Sequence, residues 1–256
     1  MPSIANTFKR RLKGADPLIG LWMQLVSNSA AESLAYSGFD WLLIDGEHAP
    51  NEVQDVLAQL QAIAAGDSSP IVRISWNDAV LFKRLLDIGV QTFLVPQVNS
   101  VEEAKKAVRA VRYPPNGVRG MAGCSRANRF AHVPDYYKVA DAEICMIVQI
   151  ETRAAAAQVR EIASVEGIDA VFIGPADLAA DMGHLGDPGH PEIQAAIAGI
   201  LAAAQSVGKP AGIFAFGPDD ARKRLASGFR FASVGADLST MIKACESMLA
   251  VARAKG

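Results

Sequence analysis

Glycines divide this sequence into repeating units, because each stands shortly before a short and continuously apolar run. The pattern occurs as GFDWLLID from Gly38, GVQTFLVP from Gly89, GIDAVFIG from Gly167 and GFRFASVG from Gly228, with Gly66 and Gly208 in the equivalent place before PIVRIS and PAGIFAF. A glycine in the left-handed conformation commonly ends a helix. Continuous rather than alternating apolar runs are expected of parallel strands buried on both faces. The repeat therefore predicts helices that alternate with buried parallel strands.

Eight apolar runs fit this pattern, and helical spacing appears between them, for example in Val53, Val56, Leu57 and Leu60 and in a stripe over 241–252. Eight strands in 256 residues favour a closed (β/α)8 TIM barrel over an open doubly wound sheet. No linker is apparent, which predicts a single domain over 1–256. The predicted strands are roughly 19–26, 41–45, 70–74, 92–96, 144–150, 169–173, 211–215 and 230–234.

Composition excludes several classes of function. The net charge of −2 provides no basic field that would attract nucleic acid or an anionic membrane. The longest apolar runs are only about eight residues, too short to span a membrane, and the N-terminus lacks the apolar region of a secretory signal. Three scattered cysteines without a CxxC pair indicate neither a disulfide framework nor a thiolate zinc site. We therefore expect a cytoplasmic protein.

The connection between the fourth and fifth strands is long and polar. Residues 113–135 contain three prolines, three glycines and three arginines. Long irregular loops in compact domains are usually functional. This insert follows the fourth strand and is expected to begin on the catalytic rim, where it would form a lid or a contact between subunits.

Four positions that can carry chemistry lie at the ends of different apolar runs. They are His48 after WLLID, Arg73 in PIVRIS, Glu151 after CMIVQI and Asp177 after AVFIGPA. The C-terminal ends of barrel strands form one rim, where the active sites of such barrels lie. A base, a cation and two oxygen ligands on one rim indicate a metal-dependent lyase.

Glu151 and Asp177 follow neighbouring strands and are predicted to converge. Hard divalent cations take carboxylate ligands and keep several waters, so two carboxylates plus substrate oxygens suffice. Each carboxylate alone is equally well explained by a place at the start of a helix. Gln149 lies at the same strand end as Glu151 and can bond substrate.

His48 follows Asp45 by three residues, and a carboxylate beside an imidazole is typical of a general base. The alternative is a loop histidine beside a capped turn. Arg73 lies inside an apolar strand and needs a partner, either Asp45 or a bound anion. The other histidines are expected to be structural or peripheral; they are His132, His184 and His190.

The sequence does not provide the residues that other types of catalysis require. A Schiff-base aldolase needs a desolvated lysine on a strand, whereas the ten lysines lie in helices, loops and termini, with Lys209 at the wrong end of the predicted barrel. No GxGxxG, Walker loop or HExxH is present, so no nucleotide cofactor is expected.

The segments LLIDGEHAP, IVRISWND, QIETRAAA and FIGPADLAADMG resemble the HpcH/HpaI aldolases, which are metal-dependent pyruvate aldolases. The resemblance runs from about Gly20 to the last helix. It implies a (β/α)8 barrel and a class II aldehyde-lyase. It also implies a homohexamer, a trimer of dimers, in which the last helix is often exchanged between subunits.

The resemblance further implies roles for individual residues. His48, supported by Asp45, would be the acid–base residue, and Arg73 would stabilise the enolate. Glu151 and Asp177 would hold Mg²⁺, Mn²⁺ or Co²⁺. The pyruvate unit would be contacted by Gln149, Gly174 and Ala176, and the aldehyde end by Phe214. Trp22, Phe214 and the insert are expected to shape the aldehyde pocket, and Glu47 has no assigned role.

The expected reaction is reversible aldol cleavage of a 4-hydroxy-2-keto acid to an aldehyde and pyruvate, or hydroxypyruvate. His48 would take the proton of the C4 hydroxyl, and the metal would stabilise the enolate. The alternatives are a related pyruvate-enolate lyase, such as a malyl-CoA or citramalyl-CoA lyase or an oxaloacetate decarboxylase, and a non-catalytic barrel that binds keto acids.

Overall fold

The computed structural model describes residues 4–254, in which eight parallel strands form a closed barrel. The strands are β1 (Leu18–Met23), β2 (Trp41–Asp45), β3 (Ser69–Arg73), β4 (Thr92–Val95), β5 (Cys145–Ile150), β6 (Ala170–Ile173), β7 (Ala211–Phe214) and β8 (Phe231–Ala236). They pair in chain order and β8 returns to β1, which confirms the predicted (β/α)8 fold. β1 ends earlier than predicted because the backbone N–H groups of Gln24 and Leu25 donate to the Asp237 carboxylate, at 2.7 and 3.4 Å.

Helices surround the barrel and connect its strands. They are α1 (Thr7–Arg11), α2 (Asn28–Ala35), α3 (Val53–Ile63), α4 (Ala79–Asp87), α5 (Val101–Val111), α6 (Tyr136–Val139), α7 (Arg153–Ala157), α8 (Val159–Ala163), α9 (Pro175–Asp181), α10 (Pro191–Ser206), α11 (Pro218–Ala226) and α12 (Asp237–Arg253), with a 3₁₀ turn at Asp141–Glu143. No helix within residues 4–254 combines the length and apolarity needed to cross a membrane.

The glycines that punctuate the sequence follow the ends of helices as predicted. Five have positive φ: Gly38, Gly89, Gly167, Gly208 and Gly228. Gly66 does not, and a Cβ there would collide with the backbone carbonyl of Ala35. At this position close packing, rather than left-handed backbone, requires glycine.

The interior of the barrel is filled with large apolar side chains toward its N-terminal end. Trp41 and Phe231 occupy the space left by Gly20 and Gly212, whose missing Cβ atoms would otherwise overlap these two rings. Phe8 of α1 packs edge-on against Phe231, with ring centroids 5.6 Å apart, and closes this end. Ligand access is therefore directed to the C-terminal rim.

The insert of residues 113–135 does not cover the rim of its own barrel. It begins after α5, which has already carried the chain back to the N-terminal end. Arg126 Nη1 donates to the Ile88 carbonyl at 2.8 Å, and the Ala127 N–H donates to the Asp87 carbonyl at 3.2 Å, both at the end of α4. The prediction that the insert begins on the catalytic rim was wrong because α5 precedes it and returns the chain to the other end, and no residue of 113–135 lines the cavity at the rim. The contact between subunits remains a prediction.

Candidate active site

Eight of the ten predicted site residues line one cavity of about 140 Å³ at the C-terminal rim. They are Trp22, His48, Arg73, Gln149, Gly174, Ala176, Asp177 and Phe214. The remaining two, Asp45 and Glu151, are buried beside it and contact residues of the lining. A larger cavity of about 570 Å³ lies at the opposite end of the barrel, lined in part by Lys209. The smaller cavity is the candidate site, because polar side chains from the ends of β1, β2, β3, β5 and β6 line it.

Arg73 is the centre of a buried ion-pair network at the ends of β2 and β3. Its Nε and Nη2 donate to the two oxygens of Asp45 at 2.9 and 2.7 Å, and its Nη1 lies 2.7 Å from Glu47. The guanidinium carbon lies 4.3 Å from the Trp22 ring centroid. Asp45 and Arg73 are register partners on adjacent strands, so the pairing follows from the sheet. The network fixes the cation in the cavity wall.

The pKa values of the two carboxylates in this network are shifted in opposite directions. Burial raises the pKa of Asp45, but the hydrogen bonds and charge of Arg73 outweigh burial, so the pKa lies below its ordinary value. Burial raises the pKa of Glu47 despite the charge of Arg73, and the negative charges of Asp45 and Asp177 raise it further. Glu47 is thus a partner of Arg73 that sequence reasoning left without a role.

Asp45 does not support the His48 ring in the way the sequence suggested. Its Oδ1 accepts hydrogen bonds from the backbone N–H groups of Glu47 and His48, at 3.0 and 3.2 Å. Within residues 4–254, the exposed His48 imidazole makes no hydrogen bond with Asp45, whose oxygens are taken by Arg73 and the loop. Asp45 therefore orients the backbone that carries His48, and the imidazole stays at the mouth of the cavity.

Glu151 is a buried carboxylate at the end of β5. Burial raises its pKa to about 7; the hydrogen bond from Gln97 N–H lowers it, and the negative charge of Asp177 raises it. One carboxylate oxygen accepts from Gln97 N–H at 2.7 Å, and the other from the Gln149 side chain. A Cβ on Gly174 would lie 2.8 Å from Gln149 Nε2 and 2.9 Å from Glu151 Oε2, so only glycine leaves these groups in place.

The donor set at this point fits a divalent cation. The Asp177 carboxylate, in the first turn of α9, has no hydrogen bond or ion pair within residues 4–254, and its charge opposes ionisation of Glu151. Gln149 Oε1 is buried and has no hydrogen-bond partner. A cation held by both carboxylates would offset their repulsion, and such oxygen donors suit Mg²⁺ or Mn²⁺. Glu151 does not cap α7, since Thr152 does so by accepting from Ala155 N–H at 3.1 Å.

An aromatic wall forms the other side of the cavity. The Trp22 ring contacts Phe214 edge-on at 5.3 Å and Phe172 at 6.0 Å, measured between centroids. Phe216 extends the wall from Phe214 at 5.5 Å and is 55% exposed. Predicted Trp22 and Phe214 lie together here, whereas Phe172 and Phe216 were missed.

Two polar residues were also missed. Gln97 has φ of 53° just past the end of β4, which turns its N–H toward Glu151. Gln24 Nε2 donates to Asp45 at 3.2 Å from the end of β1. Both follow the strand-end rule that identified the other candidates, so applying that rule to uncharged residues would have found them.

Comparison with known proteins relates the chain to one family. The model of the HpcH/HpaI aldolase/citrate lyase family matches residues 18–244. The chain is 52% identical over 246 residues to a 4-hydroxy-2-oxo-heptane-1,7-dioate aldolase of Escherichia coli, covering 96% of this chain and 94% of the relative. It is also 52% identical over 247 residues to a pyruvate aldolase of Rhizobium etli, covering 96% of each. A solved HpcH/HpaI aldolase/citrate lyase family protein of Burkholderia cenocepacia superposes with a TM-score of 0.95 at 44% identity, over 98% of this chain and 100% of the other.

Proposed function

The chain belongs to the HpcH/HpaI aldolase/citrate lyase family, and from this premise we propose that it cleaves 4-hydroxy-2-keto acids reversibly to pyruvate, or hydroxypyruvate, and an aldehyde. The activity is that of a carbon–carbon lyase of the aldehyde-lyase type. The observation that carries the proposal is the convergence of His48, Arg73, Gln149 and Asp177 from different strand ends on one cavity, with Glu151 buried beside it. We place the enzyme in the cytoplasm.

The proposed metal ligands are Glu151 and Asp177, and the ion is Mg²⁺, Mn²⁺ or Co²⁺. Such an ion supplies Lewis-acid stabilisation of the negative charge that develops on the keto-acid oxygens. Gln97 N–H and the Gln149 side chain hold Glu151 in place through the hydrogen bonds described above. Gln149, Gly174 and Ala176 border the space for the pyruvate unit.

The proposed proton carrier is His48. It lies at the mouth of the cavity, where its imidazole can take the proton of the C4 hydroxyl, directly or through water. Arg73 is fixed by Asp45, Glu47 and the Trp22 ring, so its positive charge can stabilise an enolate without rearrangement. The aromatic wall of Trp22 and Phe214 would receive the aldehyde.

The test measures pyruvate release from a 4-hydroxy-2-keto acid with the purified chain. We expect thorough chelation to abolish release and added Mn²⁺ or Mg²⁺ to restore it. His48→Ala is expected to reduce the rate by about 10²–10⁴-fold, whereas His132→Ala, a change of an exposed histidine in the insert, serves as the matched control. Full activity after chelation, or in His48→Ala, would refute the respective role. Faster turnover of malyl-CoA or oxaloacetate would redirect the assignment to the related lyases.

The last helix supports a proposal about assembly. α12 carries six partly or largely exposed apolar side chains within residues 4–254: Leu238, Met241, Ile242, Met248, Leu249 and Val251. Single exposed apolar residues are normal on a protein surface, whereas these six lie along one helix. We infer that a second copy of the chain covers α12 within a hexamer. Light scattering should give an oligomer for the wild type and smaller species for Leu249→Glu; a monomeric wild type would contradict the inference.

A further inference from the structure

A second group of metal-ligating side chains lies outside the cavity, around the loop that joins α9 to α10. The imidazoles of His184 and His190 stack with centroids 3.6 Å apart and an interplanar angle of 18°. His184 Nε2 lies 2.9 Å from Glu192 Oε2. One donor atom from each of the three side chains lies within 4.8 Å of the other two. These histidines were expected from the sequence to be structural or peripheral, and the proposed reaction uses neither.

The loop holds the backbone of both histidines in place. His184 N–H donates to the Ala179 carbonyl at 2.7 Å, and His190 N–H donates to the Asp187 carbonyl at 3.1 Å. The side chain of Gln194 donates to the Pro188 carbonyl at 2.7 Å. These bonds join the loop to the end of α9 and to the first turn of α10. The three side chains are therefore brought together by ordered backbone rather than by chance encounters of long side chains.

From this arrangement we propose that His184, His190 and Glu192 form a second metal site, for a borderline divalent ion such as Zn²⁺. Two imidazole nitrogens and one carboxylate oxygen are a common zinc donor set, with a fourth position left for water. Arg153 lies 3.5 Å from Glu192 Oε1, so it can hold that oxygen while Oε2 binds the ion. The site differs in chemistry from the all-oxygen site of Glu151 and Asp177, which suits harder ions.

Binding requires the stacked rings to turn toward one ion and His190 to give up its bond with Glu192 N–H, because a neutral imidazole has a single lone pair to offer. A tetrahedral zinc with bonds of about 2.0–2.1 Å holds its donors about 3.4 Å apart. The donor atoms here are within 4.8 Å, and one pair is already at 2.9 Å. His184 is partly exposed and Glu192 is exposed, so their side chains can rotate until the lone pairs converge. The bound ion would link α10 to the loop that follows α9, the helix that carries Asp177.

The experiment measures Zn²⁺ bound per chain, by equilibrium dialysis and elemental analysis of the full-length protein after removal of metals. His184→Ala and Glu192→Gln are the test variants. His190 is not used because it caps α10 by accepting at Nδ1 from Glu192 N–H at 3.2 Å. His132→Ala is the control for loss of an exposed histidine, and a Glu151→Gln, Asp177→Asn double variant isolates the new site from the proposed catalytic one.

We expect each test variant to lose one equivalent of Zn²⁺ relative to the wild type, or to bind it at least about tenfold more weakly, because each lacks a direct ligand. The control should bind as the wild type does, and the double variant should retain the equivalent that His184→Ala loses. Unchanged stoichiometry and affinity in both test variants would overturn the proposal. The readout does not depend on turnover, so the proposed lyase activity can fail or hold independently.

Discussion

Two buried amide side chains, Asn6 at the N-terminal end of the barrel and Gln149 at the rim, differ in how fully they are hydrogen-bonded. At the N-terminal end, the Asn6 side chain donates to the Gln91 and Glu143 carbonyls, each at 3.1 Å, and to Thr92 Oγ1 at 2.9 Å, while its oxygen caps α1 at Lys9 N–H. At the rim, Gln149 Oε1 is buried without a partner, and carboxylates oppose each other's ionisation. Satisfied groups stabilise the fold, whereas unsatisfied ones are available to a ligand.

The largest effect is expected at the rim, where one substitution should lower the cleavage rate without lowering stability. Glu151→Gln removes a proposed metal ligand and the charge that Asp177 opposes. We expect the cleavage rate to fall by about 10³-fold, while the metal-free variant unfolds at the same temperature as the wild type or higher. Activity assays and thermal unfolding of metal-free protein check this. A large loss of stability would show that Glu151 supports the fold, as Asn6 does at the other end of the barrel.

The pH dependence of the metal-free protein is the next largest effect. Burial raises the pKa of Glu151 to about 7 from its ordinary 4.5, so the folded state binds this proton more tightly than the unfolded state. Stability should therefore fall as pH rises from about 4.5 to about 7, by about 3 kcal/mol from this group. Denaturant unfolding at several pH values should show the fall in the wild type and a smaller fall in Glu151→Gln. Parallel curves for the two proteins would contradict the assignment.

A substitution at the N-terminal end of the barrel is expected to lower stability without lowering activity. Asn6→Ala removes the side-chain hydrogen bonds to Gln91, Thr92 and Glu143 and the cap of α1, and it takes this donor from the buried Thr92 Oγ1. We expect the free energy of unfolding to fall by about 2 kcal/mol with an unchanged kcat for the folded enzyme. Denaturant titration and steady-state kinetics measure the two quantities. A loss of activity without a loss of stability would contradict the view that polar groups at the N-terminal end serve the fold and those at the rim serve the ligand.

The smallest effect is expected at the outer edge of the aromatic wall. Phe216→Ala removes an exposed ring that contacts Phe214 at the edge of the cavity. We expect KM for apolar aldehydes in the synthetic direction to rise a few-fold, with kcat and stability nearly unchanged. Kinetics with a panel of aldehydes test this. An equal rise for every aldehyde, regardless of its size, would show that Phe216 does not contact the acceptor.

The architecture was predictable because its signals are local. Apolar runs and glycines marked the eight strands, and strand-end positions together with the family resemblance gave ten residues, of which eight line one cavity. The roles of these residues remain proposals. The place of Gln97 just past β4 was predictable, but nothing in the neighbouring residues marks the positive φ that aims its N–H at Glu151. The insert was assigned to the wrong end of the barrel. A connection that begins directly after a strand starts at the rim, whereas one that begins after a helix, as here, starts at the opposite end.

The sequence by itself determined the order of strands and helices and which side chains stand at the rim, because hydrophobic periodicity and glycine turns act within a few residues. Only the tertiary structure decided which partner each of these side chains takes. Asp45 lies three residues from His48 yet binds the side chain of Arg73, 28 residues away, because adjacent parallel strands place the two in register. The raised pKa of Glu151 also has its cause in burial and in Asp177, which the barrel brings near. Hydrogen bonds and charges act through space, so their pairing is fixed only when the barrel closes.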